Sequence, residues 1–237
     1  SIRKEPEIQD ELKKLAPDFF VTFAFGQILS EEVLAIPKFE TINLHASLLP
    51  KYRGAAPIQR AIINGDEETG ICTMITELGL DCGDICIKHP IKLTDDMNCE
   101  DLAIEISDSS PELLDKTLKG LYDGSLIPVK QTEDCVCIAK KVTKEECKID
   151  WSKSAKEIHN LIRGVYNCPC AYFEHQGKTV KVMDSKVIEK SANAGEFIDA
   201  NKNGLEIGCG EKALLINKVK PEGKGVMSAA DWYRGLK

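Results

Sequence analysis

The chain has 237 residues, of which 43% are hydrophobic, 29% charged and 6% aromatic, with a formal net charge of −7. This composition is typical of a folded globular protein, and it argues against intrinsic disorder, a collagen-like repeat and a coiled coil. No apolar run approaches the roughly 18 residues that cross a bilayer, so the sequence predicts no membrane span. The length is sufficient for one large domain or two smaller ones, and the pattern along the chain favours two.

The charge is distributed unevenly along the chain. Residues 1–134 carry 13 Lys and Arg against 25 Asp and Glu, a charge of −12, whereas residues 135–237 carry 18 against 13, a charge of +5. A basic module gains affinity for a polyanion by displacing its counterions. The charge of the second part therefore fits a nucleic-acid partner, but it fits an ordinary solvated surface equally well.

Ten cysteines and four histidines are scattered along the sequence. The cysteines form no CxxC pair, and the histidines stand apart, so the spacing of a zinc site is missing. We expect reduced thiols that pack as small hydrophobic side chains, in a reducing compartment such as the cytosol, and no metal.

The first part of the chain alternates helical and extended patterns. The predicted elements are a helix over 7–15, a buried strand over 18–25, a short helix over 31–35, a strand over 41–45, a helix over 57–63, strands over 71–77 and 85–88, and a helical stretch over 100–122. Pro111 removes a backbone donor and is expected to interrupt the last of these. The alternation is typical of an α/β layer, for which we expect an open parallel sheet.

The second part has the pattern of a small β domain. Turn residues over 123–142 indicate a linker, and Ser154 with Glu157 forms a capping-box pattern that opens a helix through about Arg163. Short predicted strands then follow at 171–174, 179–183, 195–200, 204–208 and 213–218, which suggests a small antiparallel barrel. The predicted division is a first domain at 1–125, a linker at 126–142 and a second domain at 143–237.

Two polar residues lie on one face of the strand over 41–45. Side chains alternate along a strand, so Asn43 and His45 point to the same side. At the end of a strand in an open sheet, an amide and an imidazole can stabilise an oxyanion and handle a proton. The triplet alone is a weak signal, because a structural role is more common.

Longer motifs surround this strand and resemble those of a known family. The segments are INLHASLLPKYRGAAPIQ at 42–59, GLDCGDI at 79–85 and AKKVTKEECKIDW at 139–151. Together they resemble the methionyl-tRNA formyltransferases, within the formyltransferases that use 10-formyltetrahydrofolate. The resemblance extends over essentially the whole chain.

The resemblance implies a fold, a reaction and partners. The implied fold is a Rossmann-like formyltransferase domain, incomplete at its N-terminus, followed by a small OB-like antiparallel β-barrel that holds tRNA. The implied reaction transfers a formyl group from 10-formyltetrahydrofolate to the α-amino group of initiator methionyl-tRNA. A cytoplasmic monomer that needs neither a metal nor a membrane is expected.

The resemblance also assigns residues to this reaction. It implies that Asn43 donates a hydrogen bond to the oxyanion and that His45 helps to stabilise it and assists proton removal. Asp81 would be the carboxylate that orients His45. The turn that holds folate would be formed by Ser47, Leu48, Leu49 and Pro50. The basic residues that contact tRNA would be Lys140, Lys141 and Lys144.

Several alternatives remain open on the sequence. Another formyltransferase of the same superfamily, or a hydrolase that releases formate, would share the three catalytic residues. Because the family usually begins with further βαβ structure, either the chain is a fragment of a longer gene product or the missing strands come from elsewhere. An inactive RNA-binding fragment is therefore a second alternative.

Overall fold

A computed structural model describes residues 2 and 5–236 of the chain. These residues form two compact units, each assembled from three segments. The first unit contains residues 1–58, 67–93 and 103–141, and the second contains residues 59–66, 94–102 and 142–237. Within residues 2 and 5–236, no helix has the length and apolar character that crossing a membrane requires.

The first unit is built on a mixed four-stranded sheet. The unit has six strands, of which four form this sheet: β1 (Phe20–Phe23), β2 (Thr41–His45), β3 (Arg53–Gly54), β4 (Glu68–Ile75), β5 (Ile85–Lys92) and β6 (Ile138–Ala139). The sheet order is β1-β2-β4-β5, with β1 and β2 parallel and the other pairs antiparallel. The expectation of a parallel sheet is therefore wrong, because β4 and β5 form an antiparallel hairpin beside β2. Strands β3 and β6 form a separate parallel pair.

Four helices precede, connect or follow these strands. They are α1 (Pro6–Leu15), α2 (Glu31–Leu34), α3 (Pro57–Asn64) and α4 (Cys99–Asp123). Helix α4 is continuous through Pro111, so the predicted interruption is wrong. The side chains of Ile106, Leu113 and Thr117 are buried on either side of the proline. Their packing outweighs the loss of one backbone hydrogen bond.

Strand β1 was expected to be buried, and it is not. Its side chains alternate between half-buried and exposed, with Val21 and Phe23 on the exposed side. In the described part of the chain β1 pairs only with β2, so it lies at the edge of the sheet. A continuous apolar run does not reveal whether both faces of a strand are covered, which is why the sequence was misleading here.

The second unit is an antiparallel sheet with helix α5 (Ala155–Gly164) and helix α6 (Ala229–Arg234). Its strands are β7 (Tyr172–His175), β8 (Lys178–Ile188), β9 (Phe197–Asn201), β10 (Gly204–Gly208), β11 (Ala213–Pro221) and β12 (Met227–Ser228). The order is β7-β8-β11-β10-β9, with β12 on β11. The strand pairing closes no ring among the described residues, so the structure shows an antiparallel sheet.

The core of this unit contains residues from the helices and from the strands of the sheet. Helix α5 contributes Ile158 and Ile162, and helix α6 contributes Trp232. The predicted capping box is confirmed: Ser154 Oγ accepts from the Glu157 backbone N–H, and the Glu157 carboxylate accepts from the Ser154 backbone N–H at 3.0 Å. A cap of this kind contributes about 1 kcal/mol to the stability of a helix.

Candidate active site

Strand β2 positions two polar side chains on one face. Asn43 lies opposite Thr22 of β1 in the parallel register. The Thr22 hydroxyl donates to Asn43 Oδ1 at 3.1 Å, so the amide oxygen is engaged within the sheet. The Nδ2 amino group is consequently the end of Asn43 that can donate to an oxygen of a substrate.

His45 is buried at the end of the same strand, with 6% of its surface exposed. Its Nε2 lies 2.8 Å from the backbone carbonyl oxygen of Tyr52. A carbonyl can only accept, so Nε2 carries a hydrogen. The other nitrogen, Nδ1, lies 3.7 Å from Asp81 Oδ2. The ring is therefore held by a hydrogen bond to a carbonyl on one side and faces a carboxylate, beyond hydrogen-bond distance, on the other.

Asp81 belongs to the loop between β4 and β5. Its backbone has a φ of +48°, in the left-handed region that aspartate tolerates better than most residues. Its Oδ2 accepts a hydrogen bond of 2.8 Å from the Gly54 backbone N–H. Gly54 has a φ of +119°, and a Cβ at this position would lie 3.0 Å from the Ala139 carbonyl oxygen. Glycine at position 54 thus permits the backbone to lie close to Ala139 in the conformation from which its N–H binds the Asp81 carboxylate.

The three-residue segment 52–54 supports both His45 and Asp81. Tyr52 offers its carbonyl to the imidazole, and Gly54 offers its N–H to the carboxylate. The segment is anchored in turn by Cys137, whose Sγ accepts from the Tyr52 N–H at 3.1 Å and whose carbonyl accepts from the Arg53 N–H at 3.0 Å. The pairing of β3 with β6 therefore fixes the geometry of the site.

Sequence reasoning missed two residues that organise this site, namely Thr22 and Gln131. Gln131 donates to the carbonyls of Asp81 and Gly83 and accepts from Arg53. It lies in the segment that resembles a linker, where no local pattern distinguishes it from other polar residues. From the sequence, Arg53 is a candidate contact for the folate's glutamate tail or a tRNA phosphate, with plain solvation equally open. In the structure its side chain is buried and donates to Gln131.

The predicted folate turn has two side chains directed into the protein. Ser47 is fully buried and its hydroxyl donates to the Lys51 carbonyl at 2.6 Å, while Leu49 packs in the core beneath the sheet. Leu48 and Pro50 are half-buried. Any ligand at this turn would therefore contact backbone groups and the faces of Leu48 and Pro50.

The predicted tRNA-contacting lysines are all exposed. Lys140 and Lys141 end the last segment of the first unit, and Lys144 belongs to the second unit. The three lysines contribute to the positive charge that distinguishes the second part of the sequence.

Two thiols close to the site are poor candidates for a nucleophile. Cys72, which pairs with His45 across β2 and β4, is fully buried, and burial raises the pKa of its thiol to about 12. Burial likewise raises the pKa of Cys86 to about 11. Neither thiol would ionise near neutral pH, so neither is a competent nucleophile. Among residues 2 and 5–236, no group of three or more His, Cys, Asp or Glu is arranged to hold a metal ion.

The arrangement combines an amide donor, an imidazole and a carboxylate on adjoining elements. An amide N–H stabilises negative charge on a carbonyl oxygen, and an imidazole next to a carboxylate can take a proton from a nucleophile. These are the requirements of acyl transfer to an amine. A separate cleft of about 430 Å³ in the first unit contains none of these residues; it is lined by Asp18, Phe19, Leu118, Lys119, Tyr122 and Asp123.

Comparisons with known proteins agree with this chemistry. The formyl transferase family matches residues 1–118, and the family of the formyl transferase C-terminal domain matches residues 141–237. The chain is 41% identical to the methionyl-tRNA formyltransferase of Clostridium novyi, over 99% of this chain and 77% of that protein.

Two solved structures share the fold at lower sequence identity. HypX from Aquifex aeolicus, solved in complex with tetrahydrofolic acid, has a TM-score of 0.74 and 18% identity, covering 96% of this chain and 40% of HypX. The methionyl-tRNA formyltransferase from Clostridium thermocellum has a TM-score of 0.58 and 20% identity, covering 76% and 77% of the two chains. With both domain families matched and a close relative covered over three-quarters of its length, the chain belongs to the formyl transferase family, among the methionyl-tRNA formyltransferases.

Proposed function

We propose that this chain transfers a formyl group from 10-formyltetrahydrofolate to the α-amino group of initiator methionyl-tRNA, in the cytoplasm, for the start of translation. The observation that carries the proposal is the arrangement of Asn43, His45 and Asp81 in a chain of this family. Its relatives are named for this reaction, and HypX, of the same fold, was solved with tetrahydrofolic acid.

The proposed reaction exchanges one carbon–nitrogen bond for another. The neutral α-amino group attacks the formyl carbon, and the carbonyl oxygen takes up the negative charge of the tetrahedral centre. The bond from that carbon to the folate nitrogen then breaks. The amine loses one proton and the departing folate nitrogen gains one, so atoms and charge balance.

Each of the three residues has a proposed role in these steps. Asn43 Nδ2 donates to the developing oxyanion, a contribution that typically accounts for a factor of about 100 to 1,000 in rate. His45 assists removal of the amine proton, and general acid–base catalysis of this kind typically adds about 100- to 10,000-fold. Asp81 holds the imidazole in orientation and stabilises its positive charge once the proton has moved.

The turn at 47–50 is the proposed folate-binding segment. The buried Ser47 and Leu49 side chains stiffen it, because one closes the turn through Lys51 and the other anchors it in the core. A stiff turn next to the catalytic strand offers backbone hydrogen-bond groups in a fixed position. We propose that these backbone groups recognise the folate ring.

The second unit is the proposed tRNA-binding domain, with an OB-like barrel as its architecture. In favour of a curled sheet, side chains of the two outermost strands meet: Phe173 of β7 and Phe197 of β9 have ring centroids 6.4 Å apart, and His175 stacks on Phe197 at 5.3 Å. The domain ranges that follow from this proposal are 1–125 for catalysis, 126–142 for the linker and 143–237 for tRNA.

The lysines Lys140, Lys141 and Lys144 are proposed to contact tRNA phosphates. Replacing all three with glutamine should weaken tRNA binding and reduce the slope of log K against log salt by roughly 2 to 3, since each phosphate contact releases nearly one counterion. Binding measured over a series of salt concentrations tests this, with Lys92 and Lys119, two exposed lysines outside the segment 140–144, replaced as a control. An unchanged salt slope in the triple variant would reject the contact.

The proposed function is tested with formyl-labelled 10-formyltetrahydrofolate and initiator methionyl-tRNA. We expect the label to appear on the tRNA, and to be absent from methionyl-tRNA whose α-amino group has been blocked. Release of labelled formate without transfer would support a hydrolase instead. Binding of tRNA with neither transfer nor release would support an inactive RNA-binding chain.

A further inference from the structure

The loop that carries Asp81 is held from two directions. Its carboxylate is bound by the Gly54 N–H at 2.8 Å, while its backbone carbonyl accepts a second hydrogen bond of 2.8 Å from Gln131 Nε2. The same Nε2 donates to the Gly83 carbonyl, also at 2.8 Å. One side-chain amide thus joins two carbonyls on either side of the loop's turn.

The orientation of the Gln131 amide is unambiguous. Carbonyl oxygens can only accept and the Arg53 Nε–H can only donate, so the amino end must face Asp81 and Gly83, and the oxygen must face Arg53. The bond from Arg53 Nε to Gln131 Oε1 is 3.0 Å long. Both hydrogens of the amide and its oxygen are therefore engaged.

Arg53 has few other interactions to explain its burial. Its residue exposure is 8%, and its Nη2 is a buried atom with no hydrogen-bond partner among residues 2 and 5–236. The carboxylate of Glu133 lies 3.9 Å from Nη2, and its side chain is largely exposed. Burying a guanidinium is unfavourable unless its N–H groups are hydrogen-bonded. The bond to Gln131 is therefore the main side-chain hydrogen bond that offsets the burial of Arg53.

These hydrogen bonds, together with the peptide link between Arg53 and Gly54, form a closed ring of contacts. Arg53 precedes Gly54, whose N–H holds the Asp81 carboxylate, and Gln131 returns from Arg53 to the Asp81 backbone. Rotation of the Asp81 backbone would break bonds on both sides at once. Asp81 has a left-handed φ, a conformation that persists where the surroundings hold it in place.

We propose that Gln131, oriented by Arg53, is a positioning residue that fixes Asp81 against His45 for the transfer reaction. Gln131 has no hydrogen bond to Asn43 or His45 in the described part of the chain, so it acts through Asp81. This inference rests on the proposed function for its kinetic consequence. We call the hydrogen bonds of Gln131 to Asp81, Gly83 and Arg53 the clamp. The clamp can be tested without measuring turnover.

The test compares Gln131→Met with wild type and with Gln27→Met. Methionine keeps the length of the side chain and removes its donors and acceptor, while Gln27 is an exposed glutamine of the same unit. A small displacement of a catalytic group lowers turnover strongly. We expect kcat to fall roughly 10- to 100-fold in Gln131→Met with KM for folate and tRNA unchanged, and Gln27→Met to match wild type.

A double-mutant cycle with Asp81→Asn separates positioning from general destabilisation. If Gln131 acts through Asp81, Gln131→Met lowers kcat far less in the Asp81→Asn background than in wild type. An equal fold loss in both backgrounds, or a change confined to KM, would overturn the proposal.

Amide hydrogen exchange over residues 79–84 tests the clamp without turnover. Gln131→Met should accelerate exchange in this loop, while Gln27→Met should leave it at the wild-type rate. Unchanged exchange in Gln131→Met would overturn the clamp even if kcat fell. If wild type shows the clamp but transfers no formyl group, the proposed function fails and the structural inference stands.

Discussion

Two buried histidines of this chain have different surroundings. His45 faces acceptor oxygens with both ring nitrogens, as suits a group that carries positive charge during a reaction. His159, on α5, has its Nε2 3.0 Å from the Asp95 carbonyl and its Nδ1 3.0 Å from Ser185 Oγ. The carbonyl requires a hydrogen on Nε2, and the Ser185 hydroxyl can donate to Nδ1. The arrangement therefore suits a neutral imidazole at His159.

Burial lowers the pKa of His159 below the ordinary value of 6.5, and the nearby cations Arg163 and Lys156 act in the same direction. Hydrogen bonding to Asp95 opposes this effect and is the smaller influence. As the pH falls below about 6.5, the unfolded chain binds a proton before the folded one does. Stability that is present above this pH is then lost progressively towards acid.

Tryptophan fluorescence measures this loss in the second unit, since both tryptophans, Trp151 and Trp232, lie there. We expect the thermal midpoint to be lower at about pH 5 than at about pH 7.5, and the difference to shrink in His159→Gln. Carboxylates with lowered pKa values, such as those of Asp95 and Glu157, protonate below this window. The control is His89→Gln, which replaces an exposed histidine. An undiminished difference in His159→Gln would contradict the assignment.

At the scale of single elements, features set by neighbouring residues in the sequence were predicted correctly. Features set by packing against distant residues were not. The alternation that puts Asn43 and His45 on one face of β2, and the capping box at Ser154, each depend on residues within four positions of one another. The exposure of β1 and the continuity of α4 through Pro111 depend on distant neighbours. No local pattern contains that information.

Strand β8 illustrates the same limit. Its predicted range of 179–183 is much shorter than the observed Lys178–Ile188. The pairing of β8 with β11 shifts register twice, between Ile216 and Lys218 and between Lys218 and Val219. Each shift interrupts the alternation of apolar and polar residues, so the second half of the strand lacks a strand-like pattern in the sequence.

At the scale of the whole molecule, the quoted motifs identified the family and the candidate catalytic residues, while the other residues of the candidate site became visible only in the folded structure. Gln131 is 50 positions from Asp81 and 78 from Arg53, yet it bonds to both. The pairing of β3 and β6 brings the segment of Arg53 alongside the segment that follows Gln131. Composition and spacing contain no trace of such a contact.

The central claim is that Asn43, His45 and Asp81 together carry formyl transfer, and single-turnover transfer by Asn43→Ala and His45→Ala tests it most directly. The matched controls are Asn203→Ala, in an exposed turn of the second unit, and His89→Ala. Both active-site variants should remain folded at the assay temperature and transfer formyl roughly 100- to 1,000-fold more slowly, while both controls transfer at the wild-type rate. Transfer near the wild-type rate by a folded Asn43→Ala or His45→Ala variant would contradict the account.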